Sequence, residues 1–212
     1  MKNIFKTLTL FLAIVLLSGC HKITTDGVTF ITYYPQFDMK GEPFMFILMG
    51  SSYVEPGVIA TEGDAELSLD TKGSVNTSVR GVYTLQYSAT NKDGFQGTVE
   101  RMVAVVSALP AVDLSGNYSL VSTTREKDIT ITKNGDVVGY YHSTDSWYQV
   151  YPIALDFVDM GDGTIYVIPG SSRYGPHIGT GVIMENNQVQ FNCRVTSGIN
   201  EGVSWATIFQ KQ

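Results

Sequence analysis

The chain has 212 residues, of which 43% are hydrophobic, 11% aromatic and 16% charged, with a formal net charge of −6 at pH 7. This composition excludes an intrinsically disordered chain, which is poor in aromatics and dense in charge. Net negative charge argues against nucleic acid or an anionic lipid surface as a partner.

The first twenty residues carry a positive start at Lys2 and Lys6, an almost wholly apolar stretch from Leu8 to Leu17, the small pair Ser18-Gly19, and then Cys20. This order is that of a secretory signal, and the apolar stretch is shorter than the ~20 residues a membrane-spanning helix needs. With the cysteine directly after the small pair, the segment resembles a bacterial lipoprotein signal and its lipobox. The resemblance implies that the Cys20 sulfur takes a diacylglycerol, that residues 1–19 are removed, and that the new amino group is acylated. Three acyl chains would hold the protein at a membrane far more firmly than the marginal binding one chain gives. Asp, associated in such lipoproteins with inner-membrane retention, is absent after the cysteine, where His21 stands, so the expected location is the outer membrane, with the leaflet left open. The mature chain loses Lys2 and Lys6 and carries 12 basic against 20 acidic side chains, a formal charge of −8. With Cys20 lipidated, Cys193 is the remaining thiol and no internal disulfide is expected. Cys193 lies in the alternating run Gln188–Val195 and reads as a small, half-buried core residue.

Residues 20–27 are polar and read as a tether. No window after the signal carries the apolar stripe of an amphipathic helix; short alternating or β-branched runs are punctuated by Gly, Asn-Gly and Asp-Gly, the pattern of an all-β protein with hairpins. Residues 28–107 hold a first set of strands. Phe44 to Met49 is apolar, and Pro56-Gly57 favours a turn because Pro fixes φ and Gly accepts positive φ. In Gly81–Ala89 the alternation places Tyr83, Leu85, Tyr87 and Ala89 on one face. Asn91-Lys-Asp-Gly94 reads as a turn. Thr98–Val106 is apolar on both faces at its end, as expected of a central strand.

These residues resemble the immunoglobulin-like domains of bacterial cell-surface proteins. The resemblance rests on Gly50-x-x-Tyr53-x-Glu-Pro-Gly57-x-x-Ala60, Gly81-x-Tyr83-x-x-x-Tyr87-x-Ala89, Lys92-Asp-Gly94 and Arg101-x-Val103-x-Val105. Asn91 stands where that family often has Asp, and Phe95 where it often has Asn. The resemblance implies a β-sandwich serving as a spacer or adhesive module, without catalytic residues.

Residues 108–113, which include Pro110, read as a linker. Residues 114–212 hold candidate strands at 118–123, 128–133, 137–142, 148–150, 153–158, 164–168, 179–184, 188–195 and 203–209, with Asn134-Gly135, Asp162-Gly163 and Asn186-Asn187 as hairpin turns. So many short strands predict an antiparallel barrel or a two-sheet sandwich; Leu114–Tyr118 and Ala206–Phe209 are similar to the ends of small lipocalin-like barrels. The whole order of lipobox, immunoglobulin-like domain and second β domain resembles surface lipoproteins of gut-type Gram-negative bacteria, some of whose neighbours bind glycans.

No catalytic, metal or cofactor constellation stands out. Asp156, Asp159 and Asp162 are three apart, not at the alternate positions of a calcium loop, and read as part of a hairpin. His21, His142 and His177 lack metal-ligand spacing. Gly170-Ser-Ser-Arg-Tyr-Gly175 is not a nucleophile elbow. The expected protein is therefore not an enzyme. The remaining feature is aromatic: Tyr140, Tyr141, His142, Trp147, Tyr148 and Tyr151 lie close in sequence, and Arg173-Tyr174-Gly-Pro-His177 adds a polar-aromatic loop. Strand aromatics ordinarily fill a core, but Trp147 and Tyr148 follow the loop Ser143–Ser146, and such rings suit recognition surfaces. Trp147, Tyr148, Tyr151, Arg173, Tyr174 and His177 are the candidate ligand contacts. The function expected is a lipid-anchored, non-catalytic envelope protein binding a glycan or a protein. The alternatives are a structural subunit of a surface complex and a small-molecule carrier with a barrel cavity.

Overall fold

Period-two apolar patterning, cut by glycines and asparagines at positive φ, yields strands throughout a computed structural model that describes residues 31–150 and 152–212. Tyr34–Gln212 make one compact unit. The signal segment, Cys20 and Tyr151 lie outside the described residues.

The N-terminal half is a sandwich of two sheets. β1 (Gln36–Met39), β3 (Val58–Glu62) and β4 (Ala65–Leu67) form an antiparallel sheet in the order β1-β3-β4. The second sheet has the order β2-β7-β6-β5, from β2 (Phe44–Leu48), β5 (Asp70–Lys72), β6 (Gly81–Thr90) and β7 (Gln96–Val106). β7 is central, as its two apolar faces predict, and pairs β2 in parallel and β6 antiparallel. Val58, Leu85 and Tyr87 are buried between the sheets with Phe37, Met39, Tyr53 and Val99 packed against them. The β6–β7 turn closes on Asn91, whose Oδ1 accepts the N–H groups of Asp93 and Phe95 at 3.1 and 2.7 Å.

The Arg of the Arg-x-Val-x-Val strand has a structural use. Arg101 is 0% exposed. Its guanidinium donates to the carbonyls of Lys40 (2.6 Å), Glu42 and Gly57 (3.4 Å), and its Nε lies 3.0 Å from Glu55 Oε1. Burying a charge is costly unless it is paired and fully hydrogen-bonded; here one side chain ties β7 to the loops on both sides of β2. Glu55 also accepts from the Tyr53 hydroxyl and the Gly57 N–H. Burial raises the Glu55 pKa, but hydrogen bonds from Tyr53, Gly57 and Tyr87, with the Arg101 charge, bring it below the usual carboxylate range.

The C-terminal half is a closed up-and-down barrel, the first of the two architectures the sequence allows. Its strands are β8 (Gly116–Leu120), β9 (Asp128–Lys133), β10 (Tyr140–Ser143), β11 (Leu155–Asp159), β12 (Thr164–Ser172), β13 (Gly175–Met184), β14 (Gln188–Val195) and β15 (Ser204–Lys211), each paired with its sequence neighbour. Closure comes from β15 pairing back onto β8, with Phe209 opposite Leu120 and Lys211 opposite Tyr118. An eight-stranded barrel is just wide enough for side chains to fill it. Here Tyr118, Ile131, Tyr141, Leu155, Phe157, Phe191 and Phe209 do so. Two expectations are corrected. Residues 148–150 are not a strand but part of the long β10–β11 connection, and the strand expected from 137 begins only at Tyr140, after Gly139 at positive φ. A three-residue alternation finds no free edge in a barrel already closed by its neighbours.

The sandwich packs onto one end of the barrel. Phe44, Ala104, Val106, Val158 and Met160 form a buried cluster across the junction, with Phe46, Tyr140 and Tyr166 against it. The Ser107 N–H donates to the Met160 carbonyl at 3.2 Å, and Arg80 pairs with Asp162. Gly161 allows the closest approach: a Cβ there would lie 1.8 Å from the Ala108 carbonyl oxygen. The β9–β10 and β11–β12 connections face this junction. The alternation of strand direction then sends the connections 121–127, 144–154, 173–174 and 196–203 to the opposite, distal end.

Candidate ligand-binding site

Of the residues singled out from sequence, Trp147, Tyr148, Arg173, Tyr174 and His177 meet at the distal end, where a polar scaffold builds the β10–β11 connection inward. Asp145 Oδ1 accepts the N–H groups of Ser146 (2.7 Å), Trp147 (2.9 Å) and Ile153 (2.9 Å), and its other oxygen pairs with Lys127. Thr207 donates to the Ser146 carbonyl at 2.6 Å, and Trp205 Nε1 to Ser146 Oγ at 3.3 Å. The connection is thereby folded into the mouth of the barrel. Trp147 stacks on Trp205 with centroids 5.3 Å apart and meets Tyr174 and Tyr148 edge-on at 4.9 and 6.0 Å. His177 lies 6.4 Å from the Trp205 ring.

Topology thus brings together Trp147, Tyr148, Tyr174 and His177, which the sequence separates by up to thirty positions, with Arg173 over the Tyr174 ring at 6.0 Å. Trp147 is 8% exposed and His177 2%. These rings close the barrel mouth, where burying their apolar area stabilises the fold. Burial holds the His177 pKa below its ordinary value, with the Gly175 carbonyl opposing. Tyr148 and Tyr174 are half-buried against the same core and Arg173 is exposed.

A separate concavity of about 640 Å³ lies on the outer face of the barrel across β12–β15. Register makes it. Tyr166, Thr180, Asn192 and Ala206 are successive cross-strand partners in one outward row, and Ile178, Arg194 and Ser204 form the next. Thr180, Ser204 and Ala206 are short and open the concavity, and Tyr166, Pro169, Ile178, Asn192 and Arg194 complete its lining. A register shift between Val167 and Gly170 carries Pro169 to the rim. Asn192 Oδ1 accepts from Gln190 at 3.1 Å, leaving its NH2 donors toward the groove.

The groove therefore offers an aromatic ring, an amide, a guanidinium and two hydroxyls within a mainly apolar lining. Cys193 borders it, but burial pushes its thiol up to about 12, so it is not a thiolate nucleophile at neutral pH. Among the described residues no group of three or more His, Cys, Asp or Glu is placed to hold a metal ion. Sequence reasoning missed these groove residues, since polar and small side chains at alternate strand positions read as an ordinary solvated face until the register aligns them.

Residues 37–105 match the family model of the bacterial surface protein Ig-like domain. The matched span lies within the 28–107 expected from sequence and runs from β1 to the end of β7. The chain is also similar to a lipoprotein from Bacteroides thetaiotaomicron of known crystal structure, at 21% identity and a TM-score of 0.39, over 84% of this chain and 100% of that one. No curated protein matches the chain.

Proposed function

We propose that this protein is a lipid-anchored, non-catalytic binding protein of the bacterial outer membrane, in which the Ig-like domain carries the barrel and the groove over β12–β15 takes a glycan. The observation that carries the reading is the composition of the groove: a Tyr166 ring beside the amide of Asn192 and the hydroxyls of Thr180 and Ser204. Sugars present apolar C–H faces that stack on aromatic rings and hydroxyl rims that suit amide and hydroxyl partners. The Ig-like domain supports a surface setting, and the lipobox-like segment supplies the anchor.

The test is a glycan array probed with the detergent-solubilised chain and with its Tyr166→Ala and Asn192→Ala variants. Binding that either substitution weakens by about tenfold supports the reading, on the scale of one stacking contact or one hydrogen bond. An array on which no glycan is retained rejects it.

A further inference from the structure

We infer that the groove selects a sugar bearing a carboxylate, held by Arg194; the inference rests on the glycan reading above and adds the charge of the ligand. The chain has an excess of acid, 20 acidic against 14 basic side chains, yet no carboxylate lines the groove, and Arg194 is its sole ionised lining residue. Other cations are engaged: Arg80 with Asp162, Arg101 with Glu55, Lys127 with Asp145 and Lys133 with Asp113, while Arg125 lies over the Tyr148 ring. Arg194 has no acidic or aromatic partner among the described residues. Its cross-strand neighbours are Ile178 and Ser204, neither of which can neutralise it.

An exposed, unpaired guanidinium within a mainly apolar groove favours an anionic guest. Its planar fork matches a carboxylate with two parallel hydrogen bonds, which are stronger than neutral ones. One Arg balances the single charge of a uronic acid, whereas a phosphate dianion would leave charge uncompensated in the groove. Ser204, directly opposite Arg194, is placed to meet a hydroxyl next to that carboxylate.

The experiment is isothermal titration of the detergent-solubilised full chain with oligosaccharides of galacturonate, glucuronate, mannuronate and guluronate, each beside its carboxyl-reduced neutral form, and with sulfated and phosphorylated oligosaccharides. A uronate is expected to bind about tenfold or more tightly than its reduced form, as a charge-assisted hydrogen bond predicts. The preference is expected to shrink as salt rises. In Arg194→Gln the preference for the acidic form is expected to disappear, and an unchanged melting curve shows that the variant folds. Equal binding of acidic and neutral forms, or an unchanged ratio in Arg194→Gln, overturns the assignment of charge and leaves the glycan groove standing. Binding of a sulfated or phosphorylated sugar through Arg194, with no uronate bound, overturns the carboxylate. No binding of any member, acidic or neutral, overturns the uronate assignment, and the array then decides the glycan reading separately.

Discussion

The ring of Phe44 stacks on that of Tyr140, with centroids 4.2 Å apart and planes 16° from parallel. Phe44 opens a strand of the Ig-like domain and Tyr140 opens a strand of the barrel, so one ring pair spans the junction. Around it Val106 and Val158 are fully buried. The barrel is thus seated on the Ig-like domain by a continuous apolar contact, and the groove and distal loops are held at a fixed orientation to it.

Phe44→Ala removes this contact. A buried Phe truncated to Ala costs about 3–5 kcal/mol, and here the loss falls on the junction rather than within either core. The expected result is a single thermal transition in the native chain that separates into two in the variant, read by differential scanning calorimetry.

Arg101→Met removes the charge but leaves the carbonyls of Lys40, Glu42 and Gly57 without their donor and Glu55 without its cation. Breaking a buried pair by deleting one partner costs about 3–5 kcal/mol. Urea unfolding followed by far-UV circular dichroism is expected to show the Ig-like domain melting at markedly lower denaturant, with the slope unchanged.

Stability is expected to fall on mild acidification. The folded-state pKa of His177 is lowered, so below the unfolded value of about 6.5 the unfolded chain takes a proton that the folded chain resists, and stability is lost as pH drops from there toward the folded value. Glu55, also lowered, adds a second loss in the carboxylate range, because its stabilisation is present above the unfolded pKa and disappears as pH falls through the folded one. Urea midpoints at several pH values check this: His177→Gln is expected to flatten the slope just below the unfolded value of about 6.5 and to leave the more acidic loss in place.

Asp145→Ala takes the acceptor from three backbone N–H groups at once. Each buried group left unpaired costs about 1–3 kcal/mol, so the β10–β11 connection is expected to leave the barrel mouth. Trp147 and Trp205 would then meet water, and their fluorescence emission would shift to longer wavelength at temperatures where the barrel remains folded.

Much of the fold was legible in the chain itself, because strand patterning and turn residues are local. The two apolar faces of 98–106 announced a central strand, Asn91–Gly94 a hairpin, and the Tyr and Arg-x-Val-x-Val strands an Ig-like domain. Burial and register are not local. Nothing in the alternation of Val99, Arg101 and Val103 tells that the guanidinium is sealed inside, since that depends on three carbonyls and a carboxylate from positions 40 to 57. Nothing in the loop from Ser143 to Pro152 tells that Trp147 turns inward, since that depends on Asp145 meeting its N–H and on Trp205 waiting across the barrel. The closure of β15 on β8, the Phe44–Tyr140 stack and the row from Tyr166 to Ala206 were decided only in the tertiary structure. A one-residue slip in any strand pairing would exchange its inner and outer faces. The sequence by itself therefore determined that this is an all-β chain with an Ig-like start, while the assembled sheets decided which of its aromatic and polar side chains are buried and which are exposed.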